Sequence, residues 1–374
     1  MGKRWGALAL VLLAFTMRGV ATEEPTRAPW VDASPDHEFE FPRDHRAHDT
    51  SKTEWWYFTG HLDGAGPHEG ARFGYQFTLF RIGVDPGPAA AGSRWSANAL
   101  VMGHAAITDL RTGEHVFSET LWRAAGALGG FPREPDPVVA WSKAPAGTPG
   151  RWDLALRGDG FAFTMRDDAR AIGFELIATS TKPVVLHGER GYSKKSDDGS
   201  AASQYASFTR MTTQGRVRWG GVDHDVVGTS WMDHEFSSSQ LTERQVGWDW
   251  FSIQLDDGRD VMLYVLRDAQ GNVDFASGTW VAADGAVTPL SAVDFTIAGR
   301  RRDERSLYPL AFDVTVKGER FTIEAASSRC VNASVLVDGI EYFEGPIEVR
   351  RDGVTVGRGY VELTGYDPDA KLPI

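Results

Sequence analysis

The sequence predicts an all-β protein of two antiparallel barrels in tandem, and three observations carry that prediction. The first is composition. With 41 Gly, 13 Trp and 20 Phe in 374 residues, the chain is turn-rich and aromatic-rich, as chains built from many short strands are. The second is period. Apolar and polar residues alternate along residues 75–81, 161–165, 261–266, 312–316 and 360–364, and a period of two sends successive side chains to opposite faces of a strand. The third is a repeat. Residues 54–64 read EWWYFTGHLDG and residues 247–258 read GWDWFSIQLDDG; Trp55 matches Trp248, Tyr57 matches Trp250, Phe58 matches Phe251, Leu62 matches Leu255 and Asp63 matches Asp256, all at one offset. A strand-like run follows each copy. Two copies of one meander, each near the size of an up-and-down barrel, account for this better than one large sandwich.

In chain order, residues 1–21 read as a secretory signal peptide. Lys3 and Arg4 precede an unbroken apolar run over 7–15, and Gly19, Val20 and Ala21 supply small residues where a signal peptidase cuts. The run is far shorter than the roughly 20 apolar residues needed to span a bilayer. Residues 22–43 form an N-terminal extension, 44–217 the first barrel and 218–374 the second, with the division in the turn-like stretch 215–221. No later segment reaches transmembrane length, so the mature chain is expected to lack an integral membrane segment. Its expected location is the periplasm or exterior of a bacterium. One cysteine, Cys330, allows no intramolecular disulfide, which suits such a compartment at least as well as a eukaryotic secretory route.

Several function classes fall away. Lys and Arg number 39 against 51 Asp and Glu, for a net charge of −12, the wrong sign for gripping phosphate backbones. Nucleic acid is not an expected partner. There is no Gly-x-Ser-x-Gly elbow, Ser-x-x-Lys, His-Glu-x-x-His or glycine-rich phosphate loop. Cys330 lies in a strand-like context without a nearby His and reads as a buried, inert thiol. Residues 224, 225 and 233–235, and the pair His45 and His48, supply metal-ligand side chains at spacings that match no established site. Neither a metal nor a cofactor is expected.

The densest polar cluster is residues 229–236, Thr-Ser-Trp-Met-Asp-His-Glu-Phe. Alternation puts Asp233 and Glu235 on one face and Met232, His234 and Phe236 on the other. Asp233 and His234 are the candidate catalytic residues, because burial among aromatic rings and a carboxylate within reach would set the proton affinity of the imidazole; Tyr264 follows on the next predicted strand as a third candidate. The structural alternative is a satisfied core histidine and an Asp that caps a turn or pairs with Arg. Trp231, Phe236, Trp248, Trp250, Trp56 and Tyr57 are the candidate ligand wall, with core packing the competing role for at least half of the aromatics. Arg81, Arg210 and Arg267 are expected to pair with Asp63 or Asp256.

The segments EWWYFTGHLDG, FGYQFTLFR (73–81), TRM (209–211), WMDHEF (231–236), GWDWFSIQLDDG and GYVELTGY (359–366) resemble the AttH and carotenoid 1,2-hydratase superfamily of secreted lipocalin-like proteins, over about residues 44–366. The resemblance implies two lipocalin-like (calycin) β-barrels packed on each other. For the hydratases it implies acid-assisted addition of water to an isoprenoid double bond, with Asp233 and His234 matching the family's Asp-His pair and Tyr264 a third position. The chain departs from the hydratase pattern at Phe236, where tryptophan is expected, and at Leu266, where aspartate is expected. Three functions are in view: an exported binder of an apolar small molecule, isoprenoid or lipid; a hydratase or isomerase; or a ligand-free accessory protein of an envelope transport system.

Overall fold

A computed structural model describes residues 29–86, 96–302, 306–370 and 372. The signal peptide expected over 1–21 lies outside the described residues. Within them, the only helical elements are two 3-10 turns, Arg43–His45 and Gly66–His68. The first thirteen strands are β1 (Thr53–Gly64), β2 (Arg72–Gly83), β3 (Ala99–Asp109), β4 (Glu114–Arg123), β5 (Gly129–Gly130), β6 (Val138–Lys143), β7 (Arg151–Arg157), β8 (Gly160–Asp167), β9 (Ile172–Ser180), β10 (Val185–Leu186), β11 (Tyr192–Lys194), β12 (Ala202–Trp219) and β13 (Val222–Ser239). They form one antiparallel sheet in the order β4-β3-β2-β1-β13-β12-β9-β8-β7-β6-β5, with β10 and β11 also on β12.

The second sheet takes β14 (Gln245–Leu255), β15 (Asp260–Asp268), β16 (Val273–Val281), β17 (Val287–Ser291), β18 (Phe295–Arg302), β19 (Pro309–Val316), β20 (Glu319–Ala325), β21 (Val331–Ala333), β22 (Glu341–Arg351) and β23 (Val354–Leu363). Its order is β17-β16-β15-β14-β23-β22-β20-β19-β18, with β21 on β22. The two sheets share one plan. In each, the first strand lies between the second strand and the last. Phe58 on β1 and Phe251 on β14, matched in sequence, therefore occupy equivalent strands, and both are fully buried. The architecture is that of tandem lipocalin-like barrels, as the resemblance implied.

The structure corrects the expected boundary. Residues 215–221 are not a linker between barrels; they hold the hairpin from β12 to β13, where Gly220 and Gly221 turn the chain at φ of 57° and 83°, values open to glycine without strain. The chain passes to the second sheet between Ser239 and Gln245. The reason is edge closure. β13 covers the free edge of β1 as β23 covers that of β14, and an unpaired edge is a liability that the closing strand removes.

The pleat divides each strand between two environments. On β1, Trp56, Phe58 and Leu62 face the first core, where Phe58 packs on Phe163 at 4.5 Å between ring centroids. On β14, Phe251, Ile253 and Leu255 face the second core, where Phe251 meets Phe312 edge-on at 5.0 Å. The opposite faces meet in a third cluster between the sheets, built on Tyr57, Tyr205, Trp231, Trp250 and Tyr264. The first sheet rolls into a nearly closed barrel: Thr120 Oγ1 bonds Ser142 Oγ at 2.8 Å and Trp122 Nε1 donates to the Lys143 carbonyl at 2.9 Å, tying β4 to β6.

The arginines find other partners than Asp63 and Asp256. Arg210 donates to Asp260 at 2.6 Å, and Lys182 reaches the same buried carboxylate at 2.6 Å, so this acid of the second sheet is held by two cations of the first. Arg267 pairs with Asp249 at 2.9 Å. Arg81 donates to the Ser51 carbonyl at 2.7 Å and lies 3.6 Å from Asp49.

Candidate functional site

Between the sheets lies a cavity of about 90 Å³, room for a few waters or the end of a larger molecule. Its aromatic walls are Trp55, Tyr57 and Phe80 from the first sheet and Trp248, Trp250 and Tyr264 from the second. The repeat explains the pairing of the walls: Trp55 and Trp248 hold matched places on β1 and β14, as do Tyr57 and Trp250, and all four leave their barrels on the side where the sheets meet. Asp233, Glu235, Lys195 and Glu362 bring ionisable groups into this aromatic space.

Asp233 is 3% exposed. Its Oδ1 accepts from Ser207 Oγ and from Trp231 Nε1 at 2.7 Å, and its Oδ2 accepts from the Tyr205 hydroxyl at 2.9 Å. Burial pushes its pKa up to about 7 against those three donors. Glu362 on β23 accepts from Trp248 Nε1 at 3.1 Å; burial, opposed by that bond and reinforced by the charges of Asp233 and Glu235, lifts it to about 8. Glu344, its cross-strand neighbour on β22, accepts from the Tyr57 hydroxyl at 2.5 Å and is raised well above the usual carboxyl range, first by burial and then by Glu362. The cation among these acids is already engaged. Lys195 lies 2.8 Å from Glu235 and over the Tyr264 ring at 4.3 Å; burial works against its charge, but Glu235 keeps its pKa above the ordinary value. Such a site can hold carboxylic acids in their protonated form near neutral pH.

Asp233 and His234, taken together from sequence, do not share a site. The pleat that sends Asp233 into the cavity sends His234 into the first barrel, where its Nε2 meets Glu54 Oε1 at 2.8 Å and its ring stacks on Trp56 at 4.9 Å. Trp56 is fully buried in that core and donates its indole N–H to the His45 carbonyl. Phe236 lies on the same side, stacked on His48 at 3.6 Å. None of the three lines the cavity. Trp231 sits behind the wall, holding Asp233 and meeting Trp250 edge-on. Tyr264 does line the cavity, but its hydroxyl donates to the Lys194 carbonyl at 2.7 Å and lies 3.2 Å from Ser193 Oγ rather than bonding Asp233.

His48, Glu54 and His234 are the group whose ligand atoms, all within 4.8 Å of one another, could hold a metal ion. They are already joined to each other: His48 Nδ1 meets Glu54 Oε1 at 2.7 Å, and the His48 backbone N–H donates to Glu54 Oε2 at 2.8 Å. Burial would raise Glu54, but His48 and His234 hold it at about 2; burial likewise opposes protonation of His48, and Glu54 and Asp44 overcome it to raise His48 to about 9. These contacts make a buried ion-pair network, which His48 extends to Asp44 at 3.6 Å. Sequence reasoning missed Glu362 and Lys195 at the cavity, and of the neighbouring Trp55 and Trp56 it is Trp55 that lines it. Glu362 lay within the GYVELTGY segment, and strand alternation alone put it on the face opposite Val361 and Leu363, while nothing local tied Lys195 to Glu235.

Comparison with known proteins agrees with this architecture. The AttH-like family matches residues 32–366. A crystal structure of an AttH protein from Nitrosomonas europaea is 28% identical, with a TM-score of 0.75 over 91% of this chain and 99% of the other. Kievitone hydratase from Nectria haematococca is 14% identical, with a TM-score of 0.62 over 88% of this chain and 94% of the other, a likeness of fold. Among curated proteins, none matches the chain.

Proposed function

Because the chain belongs to the AttH-like family, we propose that it takes the unsaturated end of an apolar small molecule, isoprenoid or lipid, into the inter-sheet cavity and adds water to it by acid catalysis. The observation that carries this reading is the placement of the Asp233 and Glu362 carboxyl groups inside aromatic walls between the sheets, where burial lifts their pKa values to about 7 and about 8. An alkene accepts a proton only from a group that still holds one at working pH, and an ordinary surface carboxyl does not. The cation that follows forms beside the rings of Trp248 and Trp250, and a cation over an aromatic face gains about 0.5–2 kcal/mol. Water then completes the addition. That a hydratase shares the fold is support by analogy.

The experiment is extraction of the native protein with organic solvent, identification of what comes off by mass spectrometry, and return of that compound to fresh protein. Hydration yields a product heavier by one water. A compound that is bound and returned unchanged would make the chain a carrier, and a protein that yields no compound would favour the transport-accessory reading. The basic, apolar and small-residue pattern of residues 1–21 supports export; the mass of the exported chain should place its first residue near Thr22.

A further inference from the structure

Three acids border the cavity; Glu235 is paired with Lys195 at 2.8 Å, and the other two are not equally free. Asp233 has both oxygens engaged by three donors, so a proton leaving it for a ligand must first break a bond within the wall. Glu362 has one contact, the Trp248 indole on Oε1. Among the described residues that indole is its one hydrogen-bond partner, on a side chain that lines the cavity and is not fully buried.

Its position is equally particular. Glu362 is the Cα partner of Trp250, and Trp248 on the same strand is the Cα partner of Leu266. Leu266 is where the resemblance called for an aspartate. In this chain β15 brings leucine to the cavity, and β23, on the other side of β14, brings the carboxyl.

We infer that Glu362, rather than Asp233, is the acid that touches the ligand, with Asp233 behind it as a positioning residue. The inference rests on the acid-catalysed reading of this cavity. The Glu362 proton passes to one alkene carbon, whose new C–H bond takes the π electrons. The other carbon becomes the cation. A water oxygen bonds to that carbon, and the proton it sheds returns to the Glu362 carboxylate, so the net change is the addition of one water. Asp233 acts through charge: once ionised, it disfavours a second negative charge on Glu362. The other groups facing Glu362 are Glu235 with its partner Lys195, and Glu344 capped by Tyr57.

The test uses the full chain and diisopropylcarbodiimide, an apolar reagent that takes the proton of a carboxylic acid and bonds its oxygen, followed by peptide mapping. Glu362 should carry the adduct, Asp233 should not, and labelling should fall about tenfold per pH unit above about pH 8. Asp233→Asn should leave Glu362 labelled but move that fall to lower pH, which a merely structural role for Asp233 would not do. Glu362→Gln should lose the adduct and hydration of the extracted compound while still binding it. An adduct on Asp233 alone, on neither acid, or full hydration by Glu362→Gln overturns the inference and leaves the hydratase reading standing. Labelling of Glu362 in a protein that hydrates nothing overturns that reading instead.

Discussion

Glu54 takes three hydrogen bonds in a space closed to water, two from the His48 ring and backbone and one from His234. A fully buried ion pair broken on one side costs roughly 3–5 kcal/mol, but here His48 keeps Asp44 at 3.6 Å. Glu54→Gln should therefore lower stability by less than that, about 1–3 kcal/mol, in denaturant unfolding, with the cavity acids unaffected. Those acids carry their own pH signature. Asp233 and Glu362 bind protons more tightly folded than their ordinary values of 3.8 and 4.5 would allow. The contribution is thus fully present below about pH 4 and is lost as pH rises through about 7 and about 8, since the folded chain holds protons that the unfolded chain has released. The melting temperature should fall across that window, and less steeply in Glu362→Gln; an unchanged slope would mean that Glu362 does not titrate there. At this scale the sequence was half legible. Period alone placed Asp233 on one face and His234 on the other, which already argued against a joint site. The partners of Asp233 were hidden, because Tyr205 and Ser207 come from β12 and carry no spacing that marks them.

Strands meet across the interface at particular residues, and Gly74 is one such place on β2. A Cβ there would lie 2.7 Å from Pro346 Cγ and 3.0 Å from the Tyr360 hydroxyl, on β22 and β23 of the other sheet. Gly74→Ala should force the sheets apart locally and cost about 1–3 kcal/mol, the usual penalty for overfilling a packed space, read as a shift of the denaturation midpoint. The Trp55/Trp248 and Tyr57/Trp250 matches were legible because β1 and β14 keep the same pleat relative to the same interface, so a repeated sequence became a repeated face. The boundary was not. A hairpin with two consecutive glycines has the composition of a linker, and only the pairing of β13 with β1, across more than 160 intervening residues, reveals that the motif at 231–236 closes the first barrel instead of opening the second.

For the whole molecule, that pairing decides what can stand alone. The cavity needs both sheets: Asp233 and Tyr57 come from one, and Glu362, Trp248 and Trp250 from the other. Each sheet has its own apolar core, yet separating them exposes the aromatic cluster between them and strips the buried Asp260 of Lys182 and Arg210. A piece covering residues 29–217 would lack β13, leaving the edge of β1 unpaired and the Glu54–His234 bond unmade. A piece covering 29–239 keeps both, with its interface face exposed. Circular dichroism melts and proteolysis should find a cooperative fold in the longer piece and none in the shorter one, and the longer piece should gain stability when mixed with residues 240–374, because burial of the shared aromatic face favours the folded state through mass action. Cooperative melting of the 29–217 piece would show that β13 is dispensable to the first barrel, and would return the boundary to the hairpin where the glycines first placed it.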